Sequence, residues 1–95
     1  MNYVGIGGEP GEGRYFVLRV AEKEALVAEA TFESNGCIVI TAVGQWLCQF
    51  ILGRKVSLLT QLDSNDLRVL YGTVPEGKEY ALFLPAEALK NLKPL

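Results

Sequence analysis

The chain contains no histidine and only two cysteines, Cys37 and Cys48. Without histidine it lacks the usual general base near neutral pH and the commonest metal ligand. Two thiols in one chain cannot build a closed four-ligand zinc or iron–sulfur site. A structural disulfide is not expected in a cytoplasmic protein. No charge of one sign dominates: 9 basic and 11 acidic residues leave a net charge of −2, and the basic ones stand singly or in pairs. That distribution offers no stripe to track phosphates, so nucleic acid is not an expected partner. Long apolar runs are missing too. The longest, Cys37 to Leu52, is broken by Thr41, Gln45 and Gln49 and falls short of the ~18 residues that span a membrane. No basic stretch leads into an apolar one at the start, so no signal peptide is visible. The expectation is a cytoplasmic protein with no membrane contact.

What is present is a small globular composition. The 95 residues are 49% hydrophobic, enough for one domain over 1–95 and too apolar for a disordered chain. Residues 1–13 read as a flexible glycine-rich segment, with a candidate edge strand over Asn2 to Ile6 and a loop from Gly5 to Gly13. The glycine spacing comes near a dinucleotide fingerprint, but Pro10 takes the third glycine's place, Glu9 and Glu12 would repel a phosphate, and no helix follows. From Arg14 to Val20 the pattern alternates, with Phe16, Leu18 and Val20 on one face. Ala25 to Phe32 alternates again, placing Leu26, Ala28, Ala30 and Phe32 inward. The polar joint Ala21–Glu24 makes the two an antiparallel hairpin.

After Ser34-Asn35-Gly36 the period becomes helical. Cys37, Thr41, Gly44 and Cys48 fall on one narrow stripe of small side chains, matched by the shallow surface of Ala28 and Ala30. Val43, Trp46, Leu47, Phe50 and Ile51 leave the rest apolar, so the helix over 38–52 is either central or shared with a partner. Gly53 stops it, and Arg54 and Lys55 suit its last carbonyls. Val56 to Leu62 continues as a short helix, and Ser64 or Asn65 caps another over Asp66 to Tyr71. The last segment supports two readings. One is a closing helix with Pro85 in its first turn; the other is a hairpin of Leu67–Val74 with Glu79–Leu84.

Asn35-Gly36-Cys37, preceded by Ala28-Glu29-Ala30-Thr31-Phe32, resembles the central motif of the NifU N-terminal/IscU family. Its members are scaffolds on which iron–sulfur clusters are assembled. Ala42, Gly53, Asp66-Leu67, Gly72, Val74-Pro75-Glu76-Gly77-Lys78 and Ala86-Glu87-Ala88-Leu89 follow in the family's order, so the likeness runs from about Pro10 to Leu92. The resemblance implies a helical last segment. With the patterns above, the expected fold is α+β: a small antiparallel sheet of two to three strands covered on one face by helices, as in IscU-like domains.

The resemblance also locates the family's ligands, and most are missing. The Cys-Gly-Asp motif reads Pro10-Gly11-Glu12, and the His-Cys pair reads Tyr80-Ala81. Cys37 is the one family cysteine that remains, with Glu12 as a residual carboxylate. Cys48 lies on the order of 16 Å along the helix from Cys37 and reads as a small buried hydrophobe. Glutamate is a harder, weaker partner for an iron–sulfide core than thiolate, and a phenol pKa near 10 opposes ligation by Tyr80. No cofactor is therefore expected within one chain. The alternative is an iron–sulfur cluster or zinc shared between two chains through Cys37 and Glu12.

Ile38-Val39-Ile40 replaces the small residues that follow the family's cysteine. The run is expected to seal the corner and raise the thiol's pKa by desolvation. Nothing cationic is expected beside Cys37 apart from the start of its own helix. The Leu-Pro-Pro-Val-Lys segment that the family's chaperone recognises survives only as Val74-Pro75-Glu76-Gly77-Lys78. The functional expectation is a non-enzymatic binding or assembly module. Its partners would be a second copy or another protein docked on the apolar helix over 38–52, with iron–sulfur assembly proteins as the candidate class.

Overall fold

The computed structural model describes residues 1–95. Strands β1 (Asn2–Gly8), β2 (Tyr15–Lys23) and β3 (Leu26–Ser34) precede helices α1 (Ile38–Ile51), α2 (Val56–Leu59), α3 (Ser64–Tyr71) and α4 (Tyr80–Lys90), and a two-residue strand β4 (Lys93–Pro94) closes the chain. The sheet is antiparallel with the order β3-β2-β1-β4. The fold is α+β as expected, with one more short strand because the chain returns to pair with Tyr3 and Val4.

Phe16, Leu18 and Val20 alternate onto the face that meets the helices, and all three are buried. They join Ile40, Val43, Leu47 and Ile51 from α1 and Leu82, Ala86 and Leu89 from α4 in a single core. Burying each of these side chains other than Ala86 stabilises the fold by roughly 1.5–3 kcal/mol. Helix α1 lies on β3, and the narrow stripe has a definite partner. A Cβ on Gly44 would stand 2.5 Å from the Phe32 ring, which stacks on Phe16 at 5.2 Å between centroids. Under Gly44 that surface is thus an aromatic face; Ala30 lines the same groove as Cys48, as expected, whereas Ala28 is exposed.

The expectation for β3 was half right. Ala30 and Phe32 are half-buried, but Leu26 and Ala28 are exposed and Val27 is buried instead. The register shifts between Ala21 and Glu22, so that Ala21 faces Glu29 and Glu22 faces Val27. Ala28 is the extra residue, and a one-residue bulge exchanges the two faces beyond it. The turn is a two-residue loop, Glu24-Ala25, closed by the Lys23–Leu26 pair with φ of 55° and 69°, the type I′ form that fits strand twist.

The N-terminal reading needs correction. Residues 2–8 are a regular strand beside β2, and the loop is confined to 9–14. The glycines that suggested a loop serve a close approach. A Cβ on Gly5 would lie 1.9 Å from the Ala88 carbonyl oxygen, and one on Gly7 2.0 Å from that of Leu84. Only glycine lets the α4 backbone rest on β1.

The last segment is helical, not a hairpin. Helix α3 starts at Ser64, two residues earlier than expected, because Asp63, rather than Ser64 or Asn65, caps it. Asp66 N–H donates to Asp63 (2.9 Å) and Asp63 N–H to Asp66 (3.1 Å) in a capping box. Pro85 sits in the second turn of α4, not the first. The helix begins earlier because the turn at Pro75–Lys78 (Lys78 N–H to Pro75 O, 2.9 Å) delivers Ala81 and Leu82 into the core. Their burial offsets the hydrogen bond that proline cannot donate. At the end of α1, Gly53 takes φ +79° and Arg54 Nε donates to the Phe50 carbonyl at 2.8 Å, as expected.

Candidate functional site

The β3–α1 corner begins with Asn35. Its side chain accepts from Tyr15 N–H (2.9 Å) and donates to the Gly13 carbonyl (2.6 Å), tying the 9–14 loop to the corner. Glu12 rides on that loop, exposed, and its carboxylate takes part in no hydrogen bond or ion pair. Cys37 is the N-cap residue of α1, with extended backbone and no side-chain capping bond.

It faces Tyr80. Sγ of Cys37 lies 2.7 Å from the Tyr80 hydroxyl at the start of α4. The Arg14 guanidinium stacks 4.1 Å from the centre of the Tyr80 ring, and the Lys78 ammonium lies 6.0 Å from it. The corner thus assembles a thiol, a phenol and two cations from three separate stretches of chain.

This arrangement lowers the Cys37 pKa to about 7. The main cause is the Tyr80 hydroxyl, which donates to the thiolate. Partial burial opposes it, and the N–H groups of Ile40 and Val39 and the charge of Lys78 add to it. Tyr80 moves the opposite way, raised above its ordinary value chiefly by the same hydrogen bond, because losing its proton would set two anions together. Cys48 is a control within the same helix. It is 8% exposed, with its thiol pushed up to about 11 by burial alone, as its reading as a buried hydrophobe expected.

Two expectations about Cys37 are overturned here. The Ile38-Val39-Ile40 run does not seal the corner: Ile38 is 83% exposed and only Ile40 enters the core. The thiol's pKa falls instead of rising. The corner is also not free of cations. Lys78 stands two residues before Tyr80 and could have been noticed on that ground. Arg14 carried no local signal, since it arrives through β2 and the Asn35 tether.

A family profile, the NifU-like N terminal domain, matches residues 8–92. The chain belongs to that family. No curated protein matches it. The NifU-like family comprises scaffolds of iron–sulfur cluster assembly, a role that is generally not enzymatic, and the α+β architecture is that of the family. No helix of this member is long and apolar enough to cross a membrane.

The donor set of the corner does not suit a cluster held by one chain. Such a cluster takes about four protein ligands, preferably thiolates. Here Cys37 is the one thiol at the corner, Tyr80 is held as a phenol, and Pro10 and Ala81 have no donor to offer. No three of the chain's cysteine, aspartate and glutamate side chains converge as a metal group would require.

Proposed function

We propose that this NifU-like domain has lost cluster binding within the monomer and acts as a non-enzymatic assembly module that engages other proteins of iron–sulfur assembly. The observation that carries this reading is the chemistry of the corner: one thiolate, satisfied by a phenol at 2.7 Å, stands where the family places a set of thiolates and a histidine. Cys37, with its pKa lowered to about 7, would need no base to act as a nucleophile, but the chain has no histidine to carry the proton transfers of hydrolysis or group transfer. The structure leaves little of α1 for a partner, since Ile40, Val43, Leu47 and Ile51 serve the chain's own core. Contact through that helix would use Ile38, exposed immediately beside Cys37, and Leu52 at the far end.

A second reading is favoured by the low pKa of Cys37 and the unpartnered carboxylate of Glu12: two chains pool these residues around a cluster or a zinc ion. Anaerobic reconstitution with ferrous iron and sulfide distinguishes the two. The first reading expects a colourless protein. A chromophore that appears only in a dimer, is lost in Cys37→Ala and survives in Cys48→Ala establishes the second.

A further inference from the structure

The edge of the sheet offers a docking surface away from the Cys37 corner. Met1 and Glu22 exchange backbone hydrogen bonds (Glu22 N–H to Met1 O, 2.7 Å; Met1 amine to Glu22 O, 3.1 Å). Along β2, even-numbered residues therefore turn their N–H and C=O towards β1 and odd-numbered ones towards β3. Thr31, opposite Arg19, bonds inward, whereas Ala30 and Phe32, opposite Val20 and Leu18, present their backbone groups to the outside of the sheet. The chain itself uses the start of this edge. Val27 donates to the Arg54 carbonyl and accepts from Gly53 N–H, both at 2.9 Å, and Leu26 forms an antiparallel bridge with Lys55. Beyond that point no segment covers β3.

Side chains define what fits there. Glu29, Thr31 and Glu33 project on the face without helices, all exposed. Arg19 pairs with Glu33 at 3.0 Å, leaving Glu29 without a cation. On the other face a groove between β3 and α1 is lined by Ala30, Phe32, Gln45, Cys48 and Gln49. A second copy pairing antiparallel about Thr31 would set Glu29 against Glu33 twice, and like charges directly opposite are destabilising. The same carboxylates attract cations.

We propose that β3 accepts an extended segment of a partner protein as an added antiparallel strand over 29–33, with basic residues opposite Glu29 and Glu33 and small apolar residues in the β3–α1 groove. Main-chain bonds to Ala30 and Phe32 give the affinity, and the alternating side chains give the choice of partner. An antiparallel strand there would continue the line of the chain's own Gly53–Lys55 segment, which already pairs antiparallel at Leu26.

The test is a titration of isotope-labelled protein with a capped seven-residue peptide alternating lysine and valine, and with its counterpart in which glutamate replaces lysine. Amide shifts are expected at Glu29–Glu33 and Gln45–Gln49. The lysine peptide should bind about fivefold or more tightly than the glutamate one, from two favourable cross-strand pairs. Glu29→Lys, an exposed change whose folding is checked by circular dichroism, should abolish or reverse that preference. N-methylation of alternate peptide amides should remove binding, which separates strand addition from charge attraction alone. The proposal is overturned by the absence of shifts at millimolar peptide, by shifts centred elsewhere, by equal binding of both peptides, or by sedimentation showing that a second copy occupies β3.

Discussion

The sulfur of Cys37, at the start of α1, and the hydroxyl of Tyr80, at the start of α4, meet at 2.7 Å although 43 positions separate them in the chain. Because the hydroxyl donates to the thiolate, removing it should restore the thiol towards its ordinary value of 9.0 from about 7. In Tyr80→Phe, the midpoint of the pH dependence of iodoacetamide alkylation should rise by more than one pH unit. Cys48 should stay unreactive in both proteins while they remain folded. An unchanged midpoint would remove the phenol from the account.

The two thiols should also shape stability against pH in opposite senses. Cys37 has a folded pKa below its unfolded one, so its contribution is fully present above about 9 and is lost as pH falls through about 7. Cys48 has a raised folded pKa, so its neutral thiol supports the fold below about 9, and that support is lost as pH rises towards about 11. Urea midpoints measured from pH 6 to 10.5 should therefore rise and then fall, and Cys48→Ala should blunt the alkaline decline.

Contact between α4 and β1 depends on two missing side chains. Gly5→Ala and Gly7→Ala each drive a Cβ into a carbonyl oxygen and should cost about 1–3 kcal/mol or more by denaturant titration. Gly13→Ala is the control, since a Cβ there meets nothing within 4 Å, and its effect should lie within about 0.5 kcal/mol.

At the β2–β3 turn, Ala25 holds φ +69° with a Cβ that disfavours it. Ala25→Gly relieves a strain of about 1 kcal/mol and should raise the unfolding free energy measured by urea titration by about a few tenths to one kcal/mol. A drop would mean that the turn is not of the I′ form.

How much of this was legible in the sequence depended on whether the signal was local. The β2 face, the α1 helix and its Gly53 stop were readable because a period or a single turn residue encodes each. The burial of Cys48 was readable for a similar reason. The bulge at Ala28 was not, because inserting one residue leaves the alternation on each side intact and changes only their relative phase. Gly5 and Gly7 gave a true signal with two meanings, a flexible loop or a close approach, and only the position of Leu84 and Ala88 decides between them. The lowered thiol pKa escaped because Tyr80, Lys78 and Arg14 reach Cys37 through tertiary packing, while the apolar run beside it, which suggested the reverse, turns Ile38 out to solvent.

The most direct test of the central claim is anaerobic native mass spectrometry of the protein after exposure to ferrous iron and sulfide. The account predicts that the monomer keeps its bare mass, because one thiolate at the corner cannot hold the core of a cluster. A monomer carrying both iron and sulfide in fixed stoichiometry would contradict it.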